Sequence, residues 1–355
     1  MRSQSIARPL ATMIAVLVIA CGGAPSAGGG NSAAPSASAS ASTPAATASI
    51  APSAAPSAPA QSAYLDDRGS PEQLIRSYYN ALSLRQYLRG YGYWERSSTL
   101  PTYDAFADGF ADTTAVEVEL GTVGGGTGAG QLYWSVPVAV LSTTTAGPKA
   151  FVGCYTLHLG RPEIQTAPPF GGIAIQAAQI SAVASAVIAR SALATVCGSA
   201  NATPLPWGGS GSGIDATRYV DDRTGGEAVV RSYYNAVNRK EFARAYSYFE
   251  SGASGLAAFG PFSAGYADTK SVTLLTRPGT SEVGAGQLYY RVPTVITASN
   301  VDGTTTIFSG CYRLHLGSPD AQATPPFRPL SIQSAQISQA SAGANANDLI
   351  GAACP

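Results

Sequence analysis

Arg76-Ser77-Tyr78-Tyr79-Asn80-Ala81 recurs letter for letter as Arg231-Ser232-Tyr233-Tyr234-Asn235-Ala236. The match spreads outward from both copies. Upstream, Tyr64-Leu65-Asp66-Asp67-Arg68 answers to Tyr219-Val220-Asp221-Asp222-Arg223. Downstream, Tyr91, Tyr93, Trp94 and Glu95 answer to Tyr246, Tyr248, Phe249 and Glu250, and Gly109-Phe110-Ala111-Asp112-Thr113 to Gly265-Tyr266-Ala267-Asp268-Thr269. Cys154 and Cys197 stand as far apart as Cys311 and Cys354. Self-similarity of this kind reads as two copies of one domain. The expected boundaries are 63–197 and 213–355, with a short Pro, Gly and Ser linker at 198–212.

Within a copy the hydrophobic period changes once. Leu74, Ile75, Tyr78, Tyr79 and Leu82 fall at helical spacing, with Ser70 as N-cap, Pro71 at the first helical position and Gln73 completing a capping box. A second short helix is expected over Leu84–Trp94, matched by Arg239–Phe249 with Asn238 as its cap. Period two then takes over in Val116, Val118 and Leu120, and in Leu132, Trp134, Val136, Val138 and Val140 after a glycine-rich turn. Further strands are expected over Phe151–Leu159 and Ile173–Ile180, and over Phe308–Leu316 and Leu330–Ile337. Helices followed by hairpin-linked strands predict an α+β class, with the helices on one face of an antiparallel sheet.

The N-terminus has a different character. Arg2 and Arg8 precede an apolar run, Leu10 to Ala20, that is too short to span a bilayer and suits a secretory signal over residues 1–20. Residues 22–62 are almost wholly Ala, Ser, Pro, Gly and Thr, a composition that cannot bury enough surface to offset its ordering entropy. They are expected to act as a tether. Of 355 residues, 21 are basic and 21 acidic. That balance speaks against nucleic acid as a partner, which rewards a basic patch. The four later cysteines, behind an export signal, are expected to form disulfides. Four cysteines permit three pairings, and the internal symmetry favours Cys154–Cys197 with Cys311–Cys354.

Two resemblances follow from these residues. Val18-Ile19-Ala20-Cys21 resembles the bacterial lipobox, which implies cleavage before Cys21, its lipidation, and a chain held on the extracytoplasmic face of a bacterial cell membrane. The order of a helix carrying Arg-Ser-Tyr-Tyr-Asn-Ala, a short aromatic helix and a curved antiparallel sheet resembles the nuclear transport factor 2-like cone fold. That family holds polyketide cyclases, isomerases and dehydratases beside binding and accessory domains, so it implies a cavity and no particular reaction.

No catalytic constellation emerges from the residues, and neither a metal nor a cofactor is expected. The two histidines, His158 and His315, sit in matching Leu-His-Leu-Gly segments. With Tyr133 and Tyr289 they are the candidate ligand-pocket residues, and His158 is expected beside the disulfide. Asp66, Asp67, Glu95 and Asp112 read as structural acids, Glu95 pairing with Arg76 and Glu250 with Arg231. Tyr78, Tyr79, Tyr93, Trp94, Tyr133 and Tyr155 suit either a cone wall or plain core. The expected function is a non-catalytic binding or interaction module for a small apolar ligand or an envelope protein. An isomerase- or dehydratase-like enzyme and an accessory factor for envelope assembly are the alternatives.

Overall fold

In the computed structural model the described residues are 63–97, 100–198, 214, 216–341 and 343–354. The expected signal, the expected tether, Cys21 and nearly all of the expected linker lie outside them. All belong to one compact unit. Among them no helix is long and apolar enough to cross a membrane.

The chain is α+β, with two largely antiparallel sheets. The first half runs α1 (Pro71–Ser83), α2 (Tyr87–Tyr91), α3 (Tyr103–Asp108), β1 (Thr113–Leu120), β2 (Gly124–Gly128), β3 (Gln131–Thr144), β4 (Gly147–Gly160), β5 (Ala174–Val183) and α4 (Ala186–Ala192). The second runs α5 (Gly226–Asn238), α6 (Phe242–Tyr246), β6 (Phe249–Ser254), α7 (Phe259–Ala264), β7 (Thr269–Thr276), β8 (Thr280–Gly284), β9 (Gln287–Asn300), β10 (Thr305–Gly317), β11 (Ser331–Gln339) and α8 (Ala346–Ala352). Sheet order is β1-β3-β4-β5 with β2 also on β3, and β6-β11-β10-β9-β7 with β8 also on β9. Parallel pairing occurs where β6 lies along β11 and at the matching bridge between Trp94 and Ile175.

Helix α1 starts as its sequence dictates: the Ser70 hydroxyl accepts from the Gln73 N–H and Pro71 opens the first turn. Its apolar stripe buries Leu74, Ile75, Tyr78, Tyr79 and Leu82 against the sheet. Each large side chain so buried contributes about 1.5–3 kcal/mol. Gly153 in β4 and Gly310 in β10 are demanded by curvature, since a Cβ there would lie 2.1 Å from the Gln179 carbonyl oxygen and 1.9 Å from that of Gln336.

Four local expectations are corrected. The second helices are only Tyr87–Tyr91 and Phe242–Tyr246, because the chain leaves α1 and α5 through positive φ at Arg85 (57°) and Lys240 (60°). Asn238 caps nothing there; its side chain bonds the Val272 backbone on both sides and the Ile214 carbonyl. The glycine-rich stretch is a strand, β2, turned into β3 by positive φ at Ala129 and Gly130. Helices cover both sheet faces, because α4 packs Ala189 behind β3 and β4 on Ala139, Ala150 and Val152.

Disulfides Cys154–Cys197 and Cys311–Cys354 close loops of 43 residues each, with Cα atoms 5.1 and 4.9 Å apart. They tie the segments after α4 and α8 to the sheets, and they suit an oxidising compartment.

The two halves meet through the segments that precede α1 and α5. Asp67 and Asp222 form an antiparallel bridge. Arg68 N–H donates to the Asp221 carbonyl at 2.6 Å and Arg223 N–H to the Asp66 carbonyl at 2.7 Å. The repeated hexad fixes these segments in place. The Ser77 hydroxyl bonds both the N–H and the carbonyl of Asp67 (2.9 and 3.1 Å), and Asn80 bonds Leu65 N–H and the Ala63 carbonyl (3.0 and 2.9 Å). Ser232 and Asn235 do the same in the second half.

Candidate functional site: a cavity between helices and sheet

Between α1, α3 and the concave face of the first sheet lies a cavity of about 680 Å³. Its deep wall is aromatic: Tyr78, Tyr79, Trp94 and Tyr155, with Phe106, Phe110 and Phe151 around them. Tyr78 stands edge-on to Tyr79, Trp94 and Tyr155 at centroid distances of 5.0, 6.1 and 6.0 Å. The Tyr79 and Tyr155 hydroxyls share a buried hydrogen bond at 2.8 Å. Burial pushes the ionisation of Tyr78, Tyr79 and Tyr155 well above the usual phenol range, so these hydroxyls stay protonated. The charged lining residues, Asp112 and Lys149, are a half-exposed ion pair at 2.9 Å on the rim. Lys149 holds the Asp112 carboxyl below its ordinary range.

The second half has a smaller counterpart, about 390 Å³, lined by Tyr233, Tyr234, Phe249, Phe262, Tyr266 and Tyr312. Tyr234 and Tyr312 hydroxyls bond at 2.6 Å, and Tyr233 bonds Tyr266 across the space. Residue 110 in the first half is Phe, so that second link has no equivalent there.

The candidate pocket residues of the sequence lie elsewhere. Tyr133 stacks on His158 and Tyr289 on His315, each at 4.9 Å. Strand alternation decides the outcome: Tyr155 faces the cavity, so His158, an odd number of residues on, faces away, as does its cross-strand partner Tyr133. His315 lines a separate polar groove with Glu250, Gln287 and Arg328. The acid pairings change too. Glu95 meets His158 Nδ1, and Gln131 Oε1 lies 2.7 Å from Nε2. Glu250 and Gln287 do the same for His315, each at 2.5 Å. Arg231 pairs with Glu227 and not with Glu250. The contacts of His158 are therefore Glu95, Gln131 and Tyr133, and the disulfide at Cys154 lies on the same face four residues back along β4. Both ring nitrogens are engaged, which suits a fastener between β3, β4 and the segment after α2.

The remaining acids belong to the junction. Asp66 is fully buried and accepts from Arg68 Nε at 3.1 Å and the Tyr93 hydroxyl at 2.8 Å. Burial opposes its charge, but Arg68, Tyr93 and Arg89 outweigh that, and its carboxyl ionises below the usual range. Asp67 is the reverse case: burial, with Asp222, Asp221 and Asp66 nearby, raises it to about 7 against the Gly69 N–H that opposes the shift. Tyr93 thus serves the junction and Tyr133 the outer face, which leaves Tyr78, Tyr79, Trp94 and Tyr155 as the wall.

No family model matches the chain, and no curated protein does. Among solved structures it is similar to a variant of Rv3472, a protein of unknown function from Mycobacterium tuberculosis. That match has 17% identity over 35% of this chain and 72% of that one, with a TM-score of 0.25. It is also similar to an Ntf2-like protein involved in plasmid conjugation, at 10% identity over 74% of this chain and 96% of that one, with a TM-score of 0.17. At these scores neither likeness carries an argument.

Proposed function

We propose that the chain is a non-catalytic binding protein with two tandem nuclear transport factor 2-like cone domains, and that the first cone holds a small apolar ligand. The observation that carries this reading is the lining of the 680 Å³ cavity. Its depth is aromatic and aliphatic, its deep hydroxyls are held protonated, and its charges sit together on the rim. Apolar concavity with few polar groups is what binds small molecules, whereas acid–base chemistry needs a titratable group beside the reacting atom. The carboxylate–imidazole pairs lie on the other face of each sheet. The cone reading is supported by the elements of each half: three helices near its start, interrupted in the second half by β6, and a sheet that backs an aromatic cavity.

The same reading places the protein outside the cytoplasm of a bacterial cell, held to the membrane through lipidated Cys21 and lifted from it by residues 22–62. Signal composition, lipobox and disulfides support it together. Titration of the full chain with the neutral fluorophore N-phenyl-1-naphthylamine tests the binding claim. Saturable enhancement that Ala178→Trp abolishes by filling the cavity is expected; unaltered binding in that variant refutes the site. Metabolic labelling with an alkynyl fatty acid tests the anchor, with loss of label in Cys21→Ala expected and unlabelled wild-type protein counting against it.

A further inference from the structure

One donor in the first cavity closes no hydrogen bond among the described residues. Trp94 stands in the deep wall, its ring 6.1 Å from those of Tyr78 and Tyr155. Its Nε1 is buried and makes no hydrogen bond of normal geometry among the described residues. It is turned toward the Tyr78 hydroxyl without closing on it. Buried N–H groups are rarely left so, because the lost hydration is not recovered.

The second half lacks both features. Phe249 stands in the place of Trp94 and offers no donor, and Tyr233, in the place of Tyr78, has its hydroxyl taken by Tyr266. Phe110 replaces that tyrosine in the first half. The two cavities therefore differ in size and in one corner: there the second is cross-linked by Tyr233 and Tyr266, whereas the first presents, among the described residues, an unbonded indole N–H beside Tyr78, whose hydroxyl lies against Tyr155.

An acceptor delivered by a ligand fits that corner. It should be neutral, since the cation of the lining, Lys149, is on the rim and a buried anion without a partner is strongly disfavoured. A carbonyl oxygen is a neutral acceptor that the indole N–H can reach without displacing the tyrosine hydroxyls from one another. Resting on the binding reading above, we infer that the first cavity takes an apolar molecule bearing a neutral carbonyl group, its oxygen on Trp94 Nε1. The second cavity does not take it.

The test uses the full chain and two probes: the fluorescent ketone 6-propionyl-2-(dimethylamino)naphthalene and its 6-propyl analogue, which lacks the oxygen. The ketone is expected to bind at one site per chain and more tightly than the analogue. Trp94→Phe should weaken the ketone about five- to tenfold, the worth of one neutral hydrogen bond, and leave the analogue unchanged. Binding of the analogue also reports that the variant is folded. Phe249→Trp combined with Tyr266→Phe should create a second ketone site. Equal affinity for both probes, or a Trp94→Phe variant that binds the ketone as wild type does, overturns the carbonyl inference while the cavity reading stands. Two equal sites in the wild type overturn the asymmetry, and binding of neither probe removes both readings. A crystal structure at saturating ketone with only a water on Trp94 Nε1 also overturns the inference.

Discussion

Arg244 donates through Nε to Glu241 at 2.6 Å, and both side chains are essentially inaccessible to water. The guanidinium also reaches the Val220 carbonyl at 2.5 Å and Asn235 at 2.8 Å, and lies 4.4 Å over the Tyr219 ring. Arg89 occupies the same place in the first half, bonded to the Leu65 carbonyl and Asn80 and lying 4.4 Å over Tyr64. Its would-be carboxylate is Gln86, and both Gln86 Oε1 and Arg89 Nε are buried without a partner among the described residues. Gln86→Glu should therefore stabilise the protein by about 1–3 kcal/mol, the cost of an unsatisfied buried group. Glu241→Gln should destabilise it by about 3–5 kcal/mol, the cost of breaking a buried pair from one side. Urea denaturation of the two variants checks both signs.

The junction should make stability depend on pH. Asp67 has its ionisation raised from 3.8 to about 7 in the folded chain. Between those values the folded state holds a proton that the unfolded chain has released, so this group's contribution falls as pH rises through that window and is level above it. Asp222 is shifted in the same direction, chiefly by burial. Asp67→Asn keeps an acceptor for the Gly69 N–H and removes the charge. It should be more stable than wild type by about 1–2 kcal/mol at pH 7.5, after discounting for solvent screening, with the gain vanishing toward pH 4. Thermal melts across that range measure it.

Each disulfide closes a 43-residue loop. In the chain-entropy model its removal costs about 4 kcal/mol. Non-reducing peptide mapping should return Cys154 with Cys197 and Cys311 with Cys354. Double replacement of either pair by Ala should lower stability by that amount, and a cross-pairing between halves would contradict the structure.

The imidazoles should be silent in binding. His158 and His315 lie behind the sheets, so His158→Ala and His315→Ala should change affinity for N-phenyl-1-naphthylamine less than twofold. Their effect should be on stability, read from Tm. A larger change in affinity would place the ligand on the outer face.

What the sequence made legible was whatever a local rule governs. Ser70 and Pro71 announce α1, alternation announces β1, β3, β4 and β5, and equal cysteine spacing announces the bridges. The cavity wall was half legible: Tyr78 and Tyr79 share a helix stripe, but Tyr133 had to be separated from Tyr155 by cross-strand register, which only the paired sheet supplies. The parity of Tyr155 and His158 within β4 already set those two on opposite faces. Arg89 and Gln86 carried no signal, because nothing in a five-residue helix reveals that its arginine is buried. Helix α4 had one, since Ser185 caps it as Ser70 caps α1.

The clamp around the first described residues has a mechanical consequence. Ala63 and Leu65 are held by Asn80 and Arg89, Asp67 by Ser77, and Asp66 and Arg68 by the backbone of the other half. Tension applied to the chain at its N-terminal side enters the fold at these bonds before it reaches α1. A pull from that side is thus resisted by the hexad's polar residues and shared at once between the two halves.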